Sequence, residues 1–290
     1  MNSSQDLDPR AVRRAFDAAA AHYDAHAALQ REVADRLLAR LDYMSIAPSL
    51  VLDLGAGTGY CSKLLERRYP KARILLADVA PGMLATARAG ARRFFSRRSY
   101  VCGDASALPL ADASLDLIVS SLTLQWCEDL GTVFAECARV LRPGGLLLFS
   151  TLGPDTLHEL RAAWAAVDEA PHVNRFHDMH VVGDALIHGG FSAPVMERED
   201  LTVTYDDVLT LMRDLKGIGA QNKHAQRARS LYGRERLRQL AAAYEKHRRD
   251  GQLPATYETV YGHAWVPRHD TRPQDGSTVA TFPLSGLKRR

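Results

Sequence analysis

The chain has 290 residues, 46% hydrophobic and 24% charged, with a formal net charge of +3. This allows one large domain with elaborations, or two small ones, around a full hydrophobic core. No stretch approaches 18 consecutive apolar residues, and the opening MNSSQDLDPR has acids but no apolar core, so no membrane-spanning helix and no signal peptide are expected, and a cytoplasmic enzyme is the expectation.

Asp8 and Pro9 read as an N-cap and a first-turn proline that open a helix from about residue 10. Val12, Phe16, Ala19, Ala20 and Tyr23 recur at helical spacing, and a second amphipathic stretch runs to about residue 41. Residues 1–45 are therefore expected to form a helical cap before the first strand. Val51, Leu52 and Leu54 then make a short apolar run that stops at Gly55, Gly57 and Gly59. A buried parallel strand that turns sharply into a helix, here over residues 61–68, reads this way. Glycine admits positive φ and lets a ligand approach without meeting a Cβ. Asp53 is the informative residue, because a carboxylate at the end of a buried strand is costly unless something pairs with it.

Residues 72–77 form a second strand ending at Asp78, nineteen residues beyond Gly59, near the distance at which a strand-end acid reaches ribose hydroxyls. Val79 follows it. A helix is predicted over 81–93, with Met83 turned towards an adenine position. A third strand over 100–102 leads into Gly103, Asp104 and Ala105, where Asp104 can accept from an adenine amino group and Ala105 can offer a backbone donor. A strand over 115–120, a loop over 121–126, a helix over 129–141, a turn at 142–145 and a strand over 146–150 complete the core at 46–152. Strand and helix alternate as in a doubly wound sheet, whose ligands lie beyond the carboxyl ends of the strands.

Beyond residue 153 the expected elements are helices over 154–167 and 181–188, a strand over 194–203, helices over 205–216 and 234–249, and a last strand over 256–265. A helical insertion at about 206–252, between the last two strands, is expected to act as a lid. Residues 266–290 read as a loosely held polar tail. The four cysteines have no C-x-x-C pair and no histidine at metal spacing, so buried free thiols are expected and no metal site. Residues 213–249 carry eleven Lys/Arg against three acids, a face that suits an acidic partner as well as solvent.

In a nicotinamide-type turn the spacing is G-x-G-x-x-G. Here the third glycine comes one residue early and an acid precedes the first, which suits a ligand with a positive charge and an amino group rather than a pyrophosphate. The stretch resembles the first motif of class I S-adenosylmethionine-dependent methyltransferases, D/E-x-G-x-G-x-G, through Asp53, Gly55, Gly57 and Gly59. Ala56 and Leu122 join the expected cofactor contacts. The implied fold is α/β, a doubly wound, Rossmann-like, seven-stranded methyltransferase sheet with an N-terminal helical cap and a helical lid insertion.

Later segments resemble the malonyl-acyl-carrier-protein O-methyltransferases of bacterial biotin synthesis: FDAAAAHY, LTLQWCEDL, RVLRPGGLLLFSTLGPDTLHELRAAW, PHVNRF and LMRDLKGIGAQN. The resemblance spans about residues 10–265. It implies methyl esterification of the free carboxylate of malonyl-acyl carrier protein. It also implies that Arg175 pairs with that carboxylate, Tyr23 and Gln125 border the reacting atoms, and Trp126, His172, Asn174 and Lys216 serve the substrate or its carrier. A carboxylate acceptor needs no general base at neutral pH. The loop SLTLQWC lacks the Asn/Asp-Pro-Pro-Tyr/Phe box and the Pro-Cys context of nucleobase methylases, so no nucleic-acid partner is expected. No membrane partner is expected either, and a monomer is the default. DLKGIGAQN and the segment from residue 254 also resemble the complex I assembly factor that hydroxylates a protein arginine. Methylation of a small quinone-like precursor and cofactor binding without catalysis stay open beside it.

Overall fold

The computed structural model describes residues 8–91, 96–220 and 233–268. The cap comprises α1 (Pro9–Ala19), α2 (Tyr23–His26) and α3 (Ala28–Ala39), followed by a 3-10 turn at Arg40–Tyr43. Asp8 caps α1 by accepting from the Ala11 amide at 3.0 Å, as expected. The helical spacing read from Val12 to Tyr23 spans two segments, α1 and α2, and Ala27 at φ −93°, ψ 36° falls outside helical geometry before α3 starts.

The core runs β1 (Leu50–Leu54), α4 (Tyr60–Arg68), β2 (Arg73–Asp78), α5 (Pro81–Ala89), β3 (Arg98–Cys102), β4 (Leu115–Ser121), α6 (Leu130–Val140) and β5 (Leu141–Leu152). Then follow α7 (His158–Ala165), α8 (Met179–His188), β6 (Ser192–Tyr205), α9 (Val208–Gly217), α10 (Arg234–Tyr244) and β7 (Leu253–Trp265). The seven strands form one sheet in the order β3-β2-β1-β4-β5-β7-β6. β7 lies antiparallel to both β5 and β6, and the remaining pairs are parallel.

Alternation along the strands fills both faces. Leu52, Ile118, Leu147 and Phe149 pack with Phe134 of α6 and Leu186 of α8. Val51, Leu117, Val119 and Leu148 pack with Leu37 of α3, Leu65 of α4 and Ala87 of α5. A strand buried on both faces needs such continuous apolar runs, which is why these strands were legible. The order reverses between β1 and β4, and a doubly wound sheet opens a crevice at that switch point.

Several predicted elements change at their ends, among them the helix predicted over 234–249, which stops at Tyr244. The turn predicted at 142–145 belongs to β5: the Gly144 amide, at φ +78°, donates to the Val266 carbonyl at 2.8 Å, and Val266 donates back to Gly145 at 3.0 Å. The helix predicted from 154 starts at His158, because the preceding turn is tied to β7. There the Asp155 amide donates to the Glu258 carboxylate at 2.7 Å, and the Leu157 amide donates to the Thr256 carbonyl at 2.6 Å. The helix after Pro81 ends at Ala89 rather than 93. Cys61 and Cys137 are buried and Cys127 is half-buried, but Cys102 is exposed at the end of β3, against the expectation of four buried thiols. Lys223, Arg227 and Arg229 of the basic stretch, Gln221–Asn222 of the predicted loop, Arg92 and Arg93, and the tail from 269 lie outside the described residues.

Candidate active site

β1 delivers the chain into a turn in which Gly55, Gly57 and Gly59 all have positive φ, at +71°, +52° and +84°. The turn is anchored on β2: the amides of Gly55 and Ala56 both donate to the Ala77 carbonyl, at 2.8 and 3.0 Å. Asp78 completes the anchor, one carboxylate oxygen accepting from Gly57 and the other from Ala80, each at 2.8 Å. Burial raises the Asp78 carboxyl above its usual range, and the two amide bonds work against that rise. A carboxylate oxygen has a second lone pair, so Asp78 keeps acceptor capacity towards the cleft. Above Gly57 there is only open space, whereas a Cβ on Gly55 would lie 2.0 Å from the Thr123 hydroxyl oxygen.

Asp53 is 1% exposed and accepts from the Ser62 hydroxyl of α4 at 2.5 Å. Burial pushes its carboxyl up to about 6, with the Ser62 bonds pulling the other way. A carboxyl that titrates higher in the fold than in the unfolded chain holds its proton more tightly when folded. Stability therefore falls as pH rises from about 4 to about 6 and is flat above, a loss of roughly 3 kcal/mol. Asp53→Asn is expected to flatten that segment of a urea-midpoint profile across this pH range. An unchanged slope would assign the titration to another group.

Two cavities meet over the strand ends, and Trp126 lines both. The first, of about 900 Å³, lies over Gly55, Asp78, Val79, Asp104 and Ala105. Its described lining includes the acids Asp78, Asp104, Glu128, Asp129 and Asp184 and no lysine or arginine. The second, of about 810 Å³, lies between the cap, α7 and the lid helices α9 and α10. Its described lining has the opposite character: Arg213 and Lys216 are present and no aspartate or glutamate is. One chamber thus suits a cation and its neighbour an anion.

The cap is fastened over the junction. The Thr58 hydroxyl of the glycine turn donates to Asp24 at 2.6 Å, and the Gly82 amide donates to Asp17 at 2.7 Å. Phe16 meets Trp126 edge-on, with centroids 5.4 Å apart. Tyr23 lines the second chamber, and burial, then the charges of Asp78 and Asp24, push its phenol well above the usual range. It therefore stays protonated near neutral pH and can donate a hydrogen bond but cannot serve as a base. On the far side, His172 is stacked on Trp164 at 3.7 Å, and its Nε2 lies 2.5 Å from Asp168.

The structure brings together most of the residues singled out in the sequence. Val79, Asp104 and Ala105 line the first chamber; Leu122, Gln125, His172, Asn174 and Lys216 line the second. Gln125 is committed to its own loop: its amide donates to the Leu122 carbonyl at 2.7 Å and accepts from Thr151 at 3.4 Å. Leu122 itself holds φ +49°, a strained value for leucine, at the end of β4. Asp104 is exposed and accepts from the Ser106 amide and hydroxyl. Met83, 1% exposed, packs with Ala19, Ala20 and Ala80 beneath Phe16 and Tyr23 rather than lining the cleft. Arg175 is exposed and lies outside the chamber lining; burial lowers the pKa of the Arg161 guanidinium, the Asp155 charge opposes this, and the nearby Arg175 charge adds a smaller lowering. Sequence reading did not single out Thr123, Asp24 or Asp17, whose partners lie 68, 34 and 65 positions away.

This sheet order, with its acid-anchored glycine turn, defines a methyltransferase fold. Residues 52–149 match the family model described as a methyltransferase domain. The YcgJ protein of Bacillus subtilis shares the fold at a TM-score of 0.58, with 17% identity over 80% of this chain and 97% of that one. A phosphoethanolamine N-methyltransferase of Haemonchus contortus, solved with S-adenosylhomocysteine, does so at 0.52, with 15% identity over 80% of this chain and 53% of that one. Similarity along the whole chain is narrower in kind. The malonyl-[acyl-carrier protein] O-methyltransferase of a Methylovorus species is 52% identical over 95% of both chains. That of Laribacter hongkongensis is 52% identical over 95% of this chain and 96% of its own. The chain belongs to the malonyl-[acyl-carrier protein] O-methyltransferase family.

Proposed function

We propose that this protein transfers a methyl group from S-adenosylmethionine to the free carboxylate of malonyl-acyl carrier protein, giving the methyl ester that primes pimeloyl formation in biotin synthesis. The contrast in charge between the two chambers carries this reading. The cofactor is a sulfonium with an amino group, and the acid-lined cleft over Gly55 and Asp78 suits it. The open space above Gly57 and the remaining lone pairs of Asp78 fit its amino acid and ribose portions. When bound, it supplies an electrophilic methyl group.

The chain's own residues supply alignment and exclusion of water, the main needs of a displacement at carbon. Gln125 holds the Leu122 carbonyl and with it the rim between the chambers. Trp126, braced by Phe16, forms the partition. Tyr23, kept protonated, donates to an acceptor carboxylate at the junction, and Asn174 is a second polar group in the same chamber. Arg213 and Lys216 balance the acceptor's charge, while exposed Arg175 adds to the positive field outside. The malonyl carboxylate is ionised at neutral pH, so no base is required. The acidic carrier is assigned to the basic lid face.

The test is transfer of labelled methyl to malonyl-acyl carrier protein, beside malonyl-coenzyme A and acetyl-carrier controls. Transfer to malonyl species alone is expected. Cofactor binding with no transfer to either malonyl thioester would retire the reading.

A further inference from the structure

The acceptor chamber is far more apolar than a three-carbon acid requires. Its floor includes Leu160 and Trp164 of α7 with Tyr257 of β7, and its roof Met212 and Leu215 of α9 with Leu237 of α10. Met212 and Leu215 pack on the lid's own core yet are only partly buried, as are Leu152 and Val173 on the same chamber. Apolar surface left half-covered inside a chamber is surface that a ligand can cover, and each buried methylene strengthens binding about fourfold. Malonate brings one methylene. The pantetheine arm behind it brings amides, which lose hydration in such surroundings and can pair only with the few polar groups of the lining, such as Gln30 and Thr156.

We propose that the acceptor class extends to longer dicarboxylic acyl thioesters, with the free carboxylate at the Tyr23–Gln125 end and the methylene chain along Trp164, Leu160, Met212 and Leu237. This rests on the carboxyl-methylating reading above. The bond changes are the same for every member. A carboxylate oxygen forms the new O–CH3 bond, the sulfonium S–CH3 bond breaks, and its electron pair stays on sulfur as a neutral thioether. No proton, oxidant or base enters. At about 810 Å³ the chamber lies in the range that encloses whole small-molecule ligands, so several added methylenes fit beneath the lid.

Initial rates with malonyl-, succinyl-, glutaryl- and pimeloyl-acyl carrier protein test this in the full-length enzyme. KM is expected to fall about fourfold per added methylene until the chamber is filled. Met212→Glu should erase that gain, raising KM for glutaryl far more than for malonyl. Turnover of malonyl alone, or a KM that rises with every methylene, would overturn the inference and leave the proposed function standing. Turnover of glutaryl but not malonyl would keep the inference and retire malonate as the acceptor. If no carrier substrate is turned over, equilibrium binding of the matching N-acetylcysteamine thioesters, in the presence of S-adenosylhomocysteine, decides. Affinity that climbs with chain length upholds the chamber's role, and flat affinity ends it.

Discussion

Gly55→Ala is expected to abolish measurable cofactor binding while leaving a folded protein. Two separate costs fall on that one methyl group. Gly55 holds φ +71°, a left-handed value that costs an L-residue roughly 1–2 kcal/mol. Its Cβ would also stand 2.0, 2.3 and 2.6 Å from the Oγ1, Cγ2 and Cβ of Thr123. Rotating Thr123 about χ1 moves the first two atoms but not its Cβ, so the backbone of the β4 loop must retreat. Overpacking of this kind costs about 1–3 kcal/mol more. The displaced segments are the glycine turn and the loop that carries Leu122 to Trp126, the two sides of the junction between chambers. Cofactor affinity by calorimetry should fall on the order of 100-fold or more. The compensating pairs sharpen the test. Thr123→Ala keeps the offending Cβ and should rescue nothing, whereas Thr123→Gly removes it and should restore part of the affinity, the left-handed φ cost remaining. Full rescue by Thr123→Ala would show that the hydroxyl and methyl alone make the clash.

Much of this molecule is local, and what is local was legible. The apolar runs of β1, β2, β4 and β5 alternate between two packed faces, and those of β1 and β2 end in a glycine turn and an acid. Asp78 stands where a strand-end acid was expected, and its role as anchor of the glycine turn follows from that position. The less legible features depend on partners remote in sequence. Asp53 was expected to await a charged ligand, yet its carboxylate meets Ser62 in the first turn of α4 and does not line the cleft. Met83 was expected at an adenine, but α1 covers it. The resemblance implied a carboxylate partner for Arg175, but neither a motif nor a guanidinium's chemistry says which way a loop presents it. The charge contrast between the chambers could not be read from composition. Arg213 and Lys216 reach the second chamber from α9, more than 80 positions beyond the loop that carries Trp126.

Gly217→Ala is the second large effect expected, and its sign is what makes it informative. Gly217 is the last residue of α9. Replacing a helical glycine by alanine stabilises a helix by roughly 1 kcal/mol where nothing obstructs the methyl group. Here the methyl would lie 2.3 Å from Cδ2 and 2.4 Å from Cγ of His26, in the cap. The His26 ring can yield only by turning away, since Cγ moves with the whole side chain. Doing so breaks its 2.8 Å contact with Asp214, one turn back on α9. A second contact is tight though less severe: a Cβ on Gly219, at φ +75°, would stand 3.1 Å from the Ala15 carbonyl oxygen. Cap and lid therefore meet through glycines on one side and His26, Ala15 and Phe16 on the other, and Phe16, Tyr23 and Lys216 of the same elements line the second chamber. Gly217→Ala should raise KM for the acceptor and lower kcat, with cofactor affinity close to that of the parent, because the glycine turn is untouched. In a His26→Ala background the same substitution has room, and there it should raise Tm by about 2–4 °C, the ordinary helix gain. A single Gly217→Ala variant that is stabilised and fully active would mean that cap and lid do not close on each other in solution.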